Sequence, residues 1–126
     1  MAIMDAVDRW YRANNAGDVE AIMATLTPTG TFSDPALGGA HSGDDLRAVL
    51  ASVAEHMPDC HFEVVSAGAT SDVAAAAQWV MTATHQATGR PIRLEGADFF
   101  TYDPTADALS SVVGYFDQQQ IRRQLT

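Results

Sequence analysis

Apolar positions follow helical spacing in the first half of this chain and strand spacing in the second. Ile3, Val7, Trp10, Tyr11 and Asn14 recur every three or four residues, which predicts an amphipathic helix over residues 3–15. Gly17 suits a left-handed helix end, and Asp18 suits the N-cap of a second helix. Val19, Ile22, Met23 and Leu26 give that second helix a short apolar face, and Pro28 and Gly30 stop it. A short strand is expected over residues 31–34, ended by Pro35, and a Gly-rich loop over residues 37–43. Ser42 then opens a third helix with Asp44 and Asp45 in its first turn. Leu46, Val49, Leu50 and Val53 are its buried stripe, and Pro58 follows its end. Residues 62–69, 73–85, 92–102 and 109–117 read as four strands separated by turn signals, able to pair as antiparallel neighbours. Residues 121–125 form a short tail with about one helical turn. This order predicts an α+β fold in which a curved sheet closes over helices.

Side-chain alternation then nominates a lining. Trp79, Met81, Ala83 and His85 share one face of their strand, as do Leu94, Gly96, Asp98, Phe100 and Tyr102 in the next. Simple alternation puts Leu109, Ser111, Val113, Tyr115 and Asp117 together in the last strand. A curled sheet would wall a cavity with Trp79, Met81, Phe100, Tyr115, Asp98 and Asp117, mostly apolar with a few polar points.

Carboxylates are rare near the ends of apolar runs, because a buried charge costs several kcal/mol unless it is paired or protonated. Asp34 in Phe32-Ser33-Asp34-Pro35, Asp98 in Gly96-Ala97-Asp98-Phe99-Phe100 and Asp117 after Gly114-Tyr115-Phe116 are therefore the candidate acid/base residues. Each has a structural alternative. Asp34 can start a turn before proline, Asp98 can pair with Arg93, and Asp117 can cap the tail helix. Trp10, Tyr11, Trp79, Met81, His85, Phe100 and Tyr115 are the candidate pocket residues.

Composition narrows the partners. A chain of 126 residues fits one domain, residues 1–126, and 47 % hydrophobic residues suffice for a core. A net charge of −9 argues against nucleic acid and against an anionic membrane surface, and leaves a small apolar ligand as the expected partner. Cys60 is the only cysteine, no apolar run is long enough to span a membrane, and the start has no leader pattern, so a cytoplasmic location is expected. No metal-ligand spacing, phosphate loop or nucleophile elbow is present, so neither metal nor cofactor is expected.

The chain resembles the nuclear-transport-factor-2-like superfamily, in particular the SnoaL-like polyketide cyclases and their relative ketosteroid isomerase. The resemblance is carried by Asn15-Ala16-Gly17-Asp18, Phe32-Ser33-Asp34-Pro35, Met57-Pro58-Asp59-Cys60-His61-Phe62, Thr84-His85, Thr88-Gly89-Arg90-Pro91, Gly96-Ala97-Asp98-Phe99-Phe100, Tyr115-Phe116-Asp117 and Arg123-Gln124-Leu125. It implies a cone-shaped fold with a curved antiparallel sheet wrapped around N-terminal helices, an internal pocket and a homodimer. Asp34 falls where the isomerase has its general base, and Asp98 where it has a neutral aspartic acid that donates to an oxyanion. The oxyanion tyrosine falls at Trp10, whose indole N–H can still donate. Asp117 falls on the cyclases' acid/base aspartate, and His85 on a pocket histidine. Limonene-type epoxide hydrolases resemble the chain less, because the arginine they need falls at Gly96. The resemblance thus implies a cofactor-independent acid/base enzyme acting on a small apolar oxygenated substrate, by polyketide-type cyclisation or ketosteroid-like isomerisation. An epoxide hydrolase or cyclase of secondary metabolism and a non-catalytic binding module are the alternatives.

Overall fold

The computed structural model describes residues 1–126 and shows four helices and one five-stranded sheet. Helix α1 (Ala2–Ala16) buries Ile3, Ala6, Val7, Trp10, Tyr11 and Ala13, the stripe that its spacing predicts. Gly17 ends it at φ 66°, and its N–H returns to the last turn. Asp18 caps α2 (Val19–Ala24) by accepting the Ala21 N–H.

Strand β1 (Leu26–Ser33) starts earlier than expected. Pro28 and Gly30 lie inside it, which an edge strand tolerates because one side needs no donors. Its register breaks between Leu26 and Thr31, and a side chain at Gly30 would begin 3.0 Å from the Leu109 carbonyl oxygen. Helix α3 (Gly43–His56) buries Leu46 and Leu50 and leaves Val49 and Val53 less covered.

The meander β2 (His61–Ala69), β3 (Ala74–Thr84), β4 (Pro91–Asp103) and β5 (Ala108–Phe116) is antiparallel throughout. β1 joins β5 in parallel, giving the order β1-β5-β4-β3-β2. The sheet is curved and unclosed. Its concave face packs on α1, where Asn15 exchanges two hydrogen bonds with the Phe62 backbone of β2. Pairing between β4 and β5 begins only at Gly96, so the backbones of Arg93 and Glu95 need other partners. Gln124 and Gln120 of α4 (Gln119–Leu125) bond them in the manner of a missing strand. No helix is long and apolar enough to cross a membrane.

Alternation holds through β3 and β4 but not through β5. Tyr102 pairs with Leu109 and Thr101 with Ser111, so Ser110 is an extra residue, a bulge. Leu109 faces the core; past the bulge, Val112 and Gly114 face it instead of Ser111, Val113 and Tyr115. One added residue therefore reverses the expected facing of most of β5.

Candidate active site

The concave face and the helices enclose a cavity of about 380 Å³. Trp10, Trp79 and Met81 line it. Phe32, Phe62, Phe116, Val49 and Val53 complete much of the wall. Apart from the Cys60 thiol and the indole N–H groups, the polar side chains on the wall are Asn14, Asp34 and Asp98, and no Lys, Arg or His lines it.

Asp98 sits midway along β4 on the inner face and is 4 % exposed. Arg93 is directed elsewhere, toward Glu95, so no cation pairs with Asp98. Its one hydrogen bond comes from the Tyr11 hydroxyl of α1, which donates to Oδ2 at 2.6 Å. Burial raises the Asp98 pKa to about 6; the Tyr11 and Trp79 donors oppose this rise, and the Asp34 charge adds to it. The Trp79 indole N–H meets no acceptor in hydrogen-bonding geometry, so it favours the carboxylate as a nearby buried dipole and not as a formed bond. Burial and the Asp98 charge push the Tyr11 hydroxyl upward, so it remains a donor.

Asp34 follows β1 and enters the turn that carries the rim loop. Its Oδ1 accepts the Ala36 N–H at 2.8 Å, the turn role that Asp-Pro foreshadows. It is half-buried and also lines the cavity. Burial raises its pKa; the Ala36 and Leu37 amides and the His41 ring pull the other way. The two carboxyl side chains flank Gly114. A side chain there would begin 3.0 Å from Asp98 Oδ1 and 3.2 Å from Asp34 Cβ, so glycine keeps the space between them open. Gly96 performs a similar service for Trp79, whose ring lies 2.5 Å from where a Gly96 side chain would start.

His41 fastens the rim. Its Nδ1 lies 2.5 Å from Asp45 Oδ2 and its Nε2 lies 2.9 Å from the Leu37 carbonyl oxygen. Both partners only accept, so these contacts favour the ring with both protons. The Leu37 carbonyl and then Asp45 raise its pKa accordingly. Cys60 lines the cavity as a thiol, its pKa pushed up to about 11 by burial.

Five nominated residues lie elsewhere. Asp117 is exposed and accepts the Gln119 N–H at 2.9 Å, so its carboxylate is engaged in the turn before α4, whose N-cap is Gln118, and does not line the cavity. Tyr115 is 59 % exposed on the convex face, edge-on to Phe99 at 5.6 Å between ring centres. The Ser110 bulge is the physical reason for Tyr115, and α4 turns the chain away at Asp117. His85 lies beyond the end of β3 and closes the β3–β4 turn, its N–H donating to Arg90 and its Nδ1 beside the Thr88 hydroxyl. Phe100 is inside but behind the wall, packed on Tyr11 at 5.9 Å. Tyr11 likewise stands behind Asp98 and touches the chemistry only through it. Asn14 and Gly114 were not nominated. A lone glycine in an apolar strand is the signal for the second.

The comparisons agree with this architecture. A family model described as a SnoaL-like domain matches residues 7–105, so the chain belongs to the SnoaL-like domain family. Among solved structures it is similar to a proposed polyketide cyclase from Xanthomonas campestris pv. campestris, at 20 % identity, with 99 % of this chain and 97 % of that one covered and a TM-score of 0.87. It is similar to a SnoaL-like proposed polyketide cyclase from Shewanella denitrificans, at 16 % identity, 97 % and 95 % coverage and a TM-score of 0.84. It is also similar to the epoxide hydrolase/cyclase-like enzyme SalBIII of salinomycin pyran-ring formation, at 20 % identity, 93 % and 92 % coverage and a TM-score of 0.81. No curated protein sequence matches the chain.

Proposed function

We propose that this protein is an acid/base enzyme that moves a proton on a small, neutral, apolar substrate bearing oxygen. The observation that carries the reading is a carboxyl group almost wholly withdrawn from water, paired to no cation, at the wall of an apolar cavity. A group with a pKa of about 6 exchanges protons readily near neutral pH, since both forms are populated. Asp98 is the candidate shuttle, and at pH 7 it is mainly the carboxylate. It therefore acts first as a base, which differs from the neutral donor role that the resemblance implies. Asp34, across the Gly114 gap, is the second acid/base group. Tyr11 is a positioning residue that holds one Asp98 oxygen and leaves Oδ1 toward Gly114.

Cyclisation of a polyketide-like chain and isomerisation of an enone both begin with removal of a proton beside a carbonyl. Hydrogen–deuterium exchange at the α-carbon of 1-tetralone, followed by NMR in deuterated buffer, tests that first step without the true substrate. The protein should accelerate exchange, and Asp98→Asn should lower the acceleration by about 10²-fold or more while the ketone still binds. Equal rates for the variant and the parent, or no acceleration with the ketone bound, would overturn the reading. Two carboxyls on one cavity wall support opening of an epoxide as a second reading, one group activating the attacking oxygen and the other protonating the leaving oxygen.

The convex face, with Phe99 and Tyr115 exposed side by side, supports the expected pairing with a second copy of the chain.

A further inference from the structure

The cavity holds an imbalance that proton transfer alone does not use. Two acidic side chains flank Gly114, and the Asp34 charge adds to the cost of charging Asp98. Buried acids of this kind are ordinarily matched by an arginine or lysine. Asp98 has only a phenol hydroxyl, and no cationic side chain lines the wall. The His41 ring, which favours the Asp34 carboxylate when protonated, is engaged by Leu37 and Asp45 at the rim. Around the acids stand five aromatic side chains. Trp10 and Phe32 have ring centres 5.3 Å apart, Phe62 and Trp79 5.0 Å, and Trp79 and Phe116 6.3 Å. Such rings attract a poorly hydrated cation through their negative faces. The net charge of −9 repels anions and draws cations toward the molecule.

We infer that the cavity is also a site for an organic ammonium ion, its cationic head set between Asp98, Asp34 and the aromatic wall and its apolar body filling the rest. The ligand class is a quaternary or protonated tertiary amine with an apolar substituent. Such a ligand supplies the counter-charge that the protein withholds. It also converts Asp98 into a firmly ionised, occupied carboxylate, so it would compete with proton transfer. The inference uses the cavity of the proposed enzyme but requires no turnover.

Phenyltrimethylammonium and tert-butylbenzene test it, because they share shape and differ by nitrogen for carbon. Binding is followed by titration of the full chain's NMR spectrum at pH 7.5 and at pH 5. The titratable groups facing the head are Asp98 from β4, Asp34 after β1 and the Cys60 thiol before β2, with the Tyr11 hydroxyl of α1 behind Asp98 and the His41 ring beyond Asp34. Tyr11 and Cys60 keep their protons at both values, so the carboxyls govern the response. The ammonium ion should bind about tenfold tighter than its neutral twin at pH 7.5. That preference should shrink at pH 5, where Asp98 is mainly protonated, and in Asp98→Asn at pH 7.5. The pH series on the parent protein suffices if the variant does not fold. A neutral twin that binds equally or better overturns the inference and leaves the acid/base reading standing. A preference indifferent to pH and to Asp98 marks attraction to the acidic surface and overturns it too. If neither compound binds, both the ammonium site and a ligand-accepting hollow are refuted.

Discussion

Phe99 and Phe100 are neighbours in β4, yet one is 51 % exposed and the other 2 %. They mark two faces of one sheet that differ in kind. The concave face carries Asp98, Trp79 and Met81 against α1 and the cavity. The convex face carries Phe99 and Tyr115 against nothing in the chain. The contrast extends to their carboxylates. Asp98 has no backbone donor and no cation, whereas Asp117, just past β5, is solvated and already bound to a backbone N–H. A carboxylate is chemically informative where its surroundings leave it incompletely satisfied, and apolar neighbours in sequence do not establish that.

The widest separation of the two carboxylates should come from stability against pH. Burial raises the Asp98 pKa, so the folded chain holds that proton more tightly than the unfolded chain. Its contribution is complete below the unfolded value near 3.8 and is lost as pH rises through about 6. The loss amounts to about 3 kcal/mol. Asp98→Asn does not titrate and should exceed the parent by about 2–3 kcal/mol at pH 8 in urea unfolding. Asp117→Ala should instead cost no more than about 1 kcal/mol, the usual worth of one exposed hydrogen bond, and leave tetralone exchange unchanged. Reversed behaviour of the two variants would erase the distinction between the faces.

Tyr11→Phe sharpens the concave side. Loss of its O–H removes a hydrogen bond that favours the Asp98 carboxylate, so the Asp98 pKa should climb by about one unit. The pH profile of exchange should move the same way, while Phe100 and Phe62 retain a ring to pack on. An unmoved carboxyl signal in a ¹³C NMR titration would mean that Tyr11 does not tune the group.

The smallest effect on the fold should come from the convex side. Phe99→Ser combined with Tyr115→Ser should change monomer stability by about 0.5 kcal/mol or less and leave cavity binding intact. Analytical ultracentrifugation should show weaker self-association. Unchanged association would remove the second-copy reading of that face.

The helices and the paths of β3 and β4 were legible because their burial follows strict periods from Ile3 to Tyr11 and from Ala75 to Tyr102. Asp98 stood out for the same reason, as a charged residue on the buried phase of a strand. Its partner did not, because Tyr11 lies 87 positions away and only packing brings the two together. The early start of β1 was hidden by Pro28 and Gly30, whose local tendencies an edge position overrides. Tyr115 was misplaced because alternation cannot register an added residue. His85 was misplaced because its strand ends one residue sooner, at Thr84.

That added residue, Ser110, makes emptiness a matter of counting. With it, a side-chain-free glycine faces Asp98; unbroken alternation from Leu109 would instead bring phenol-bearing Tyr115 inward at that level and turn Gly114 to the outside. The molecule thus stores the difference between a solid interior and a hollow one in the phase of a single strand, set by where its pairing slips and not by which side chains it carries.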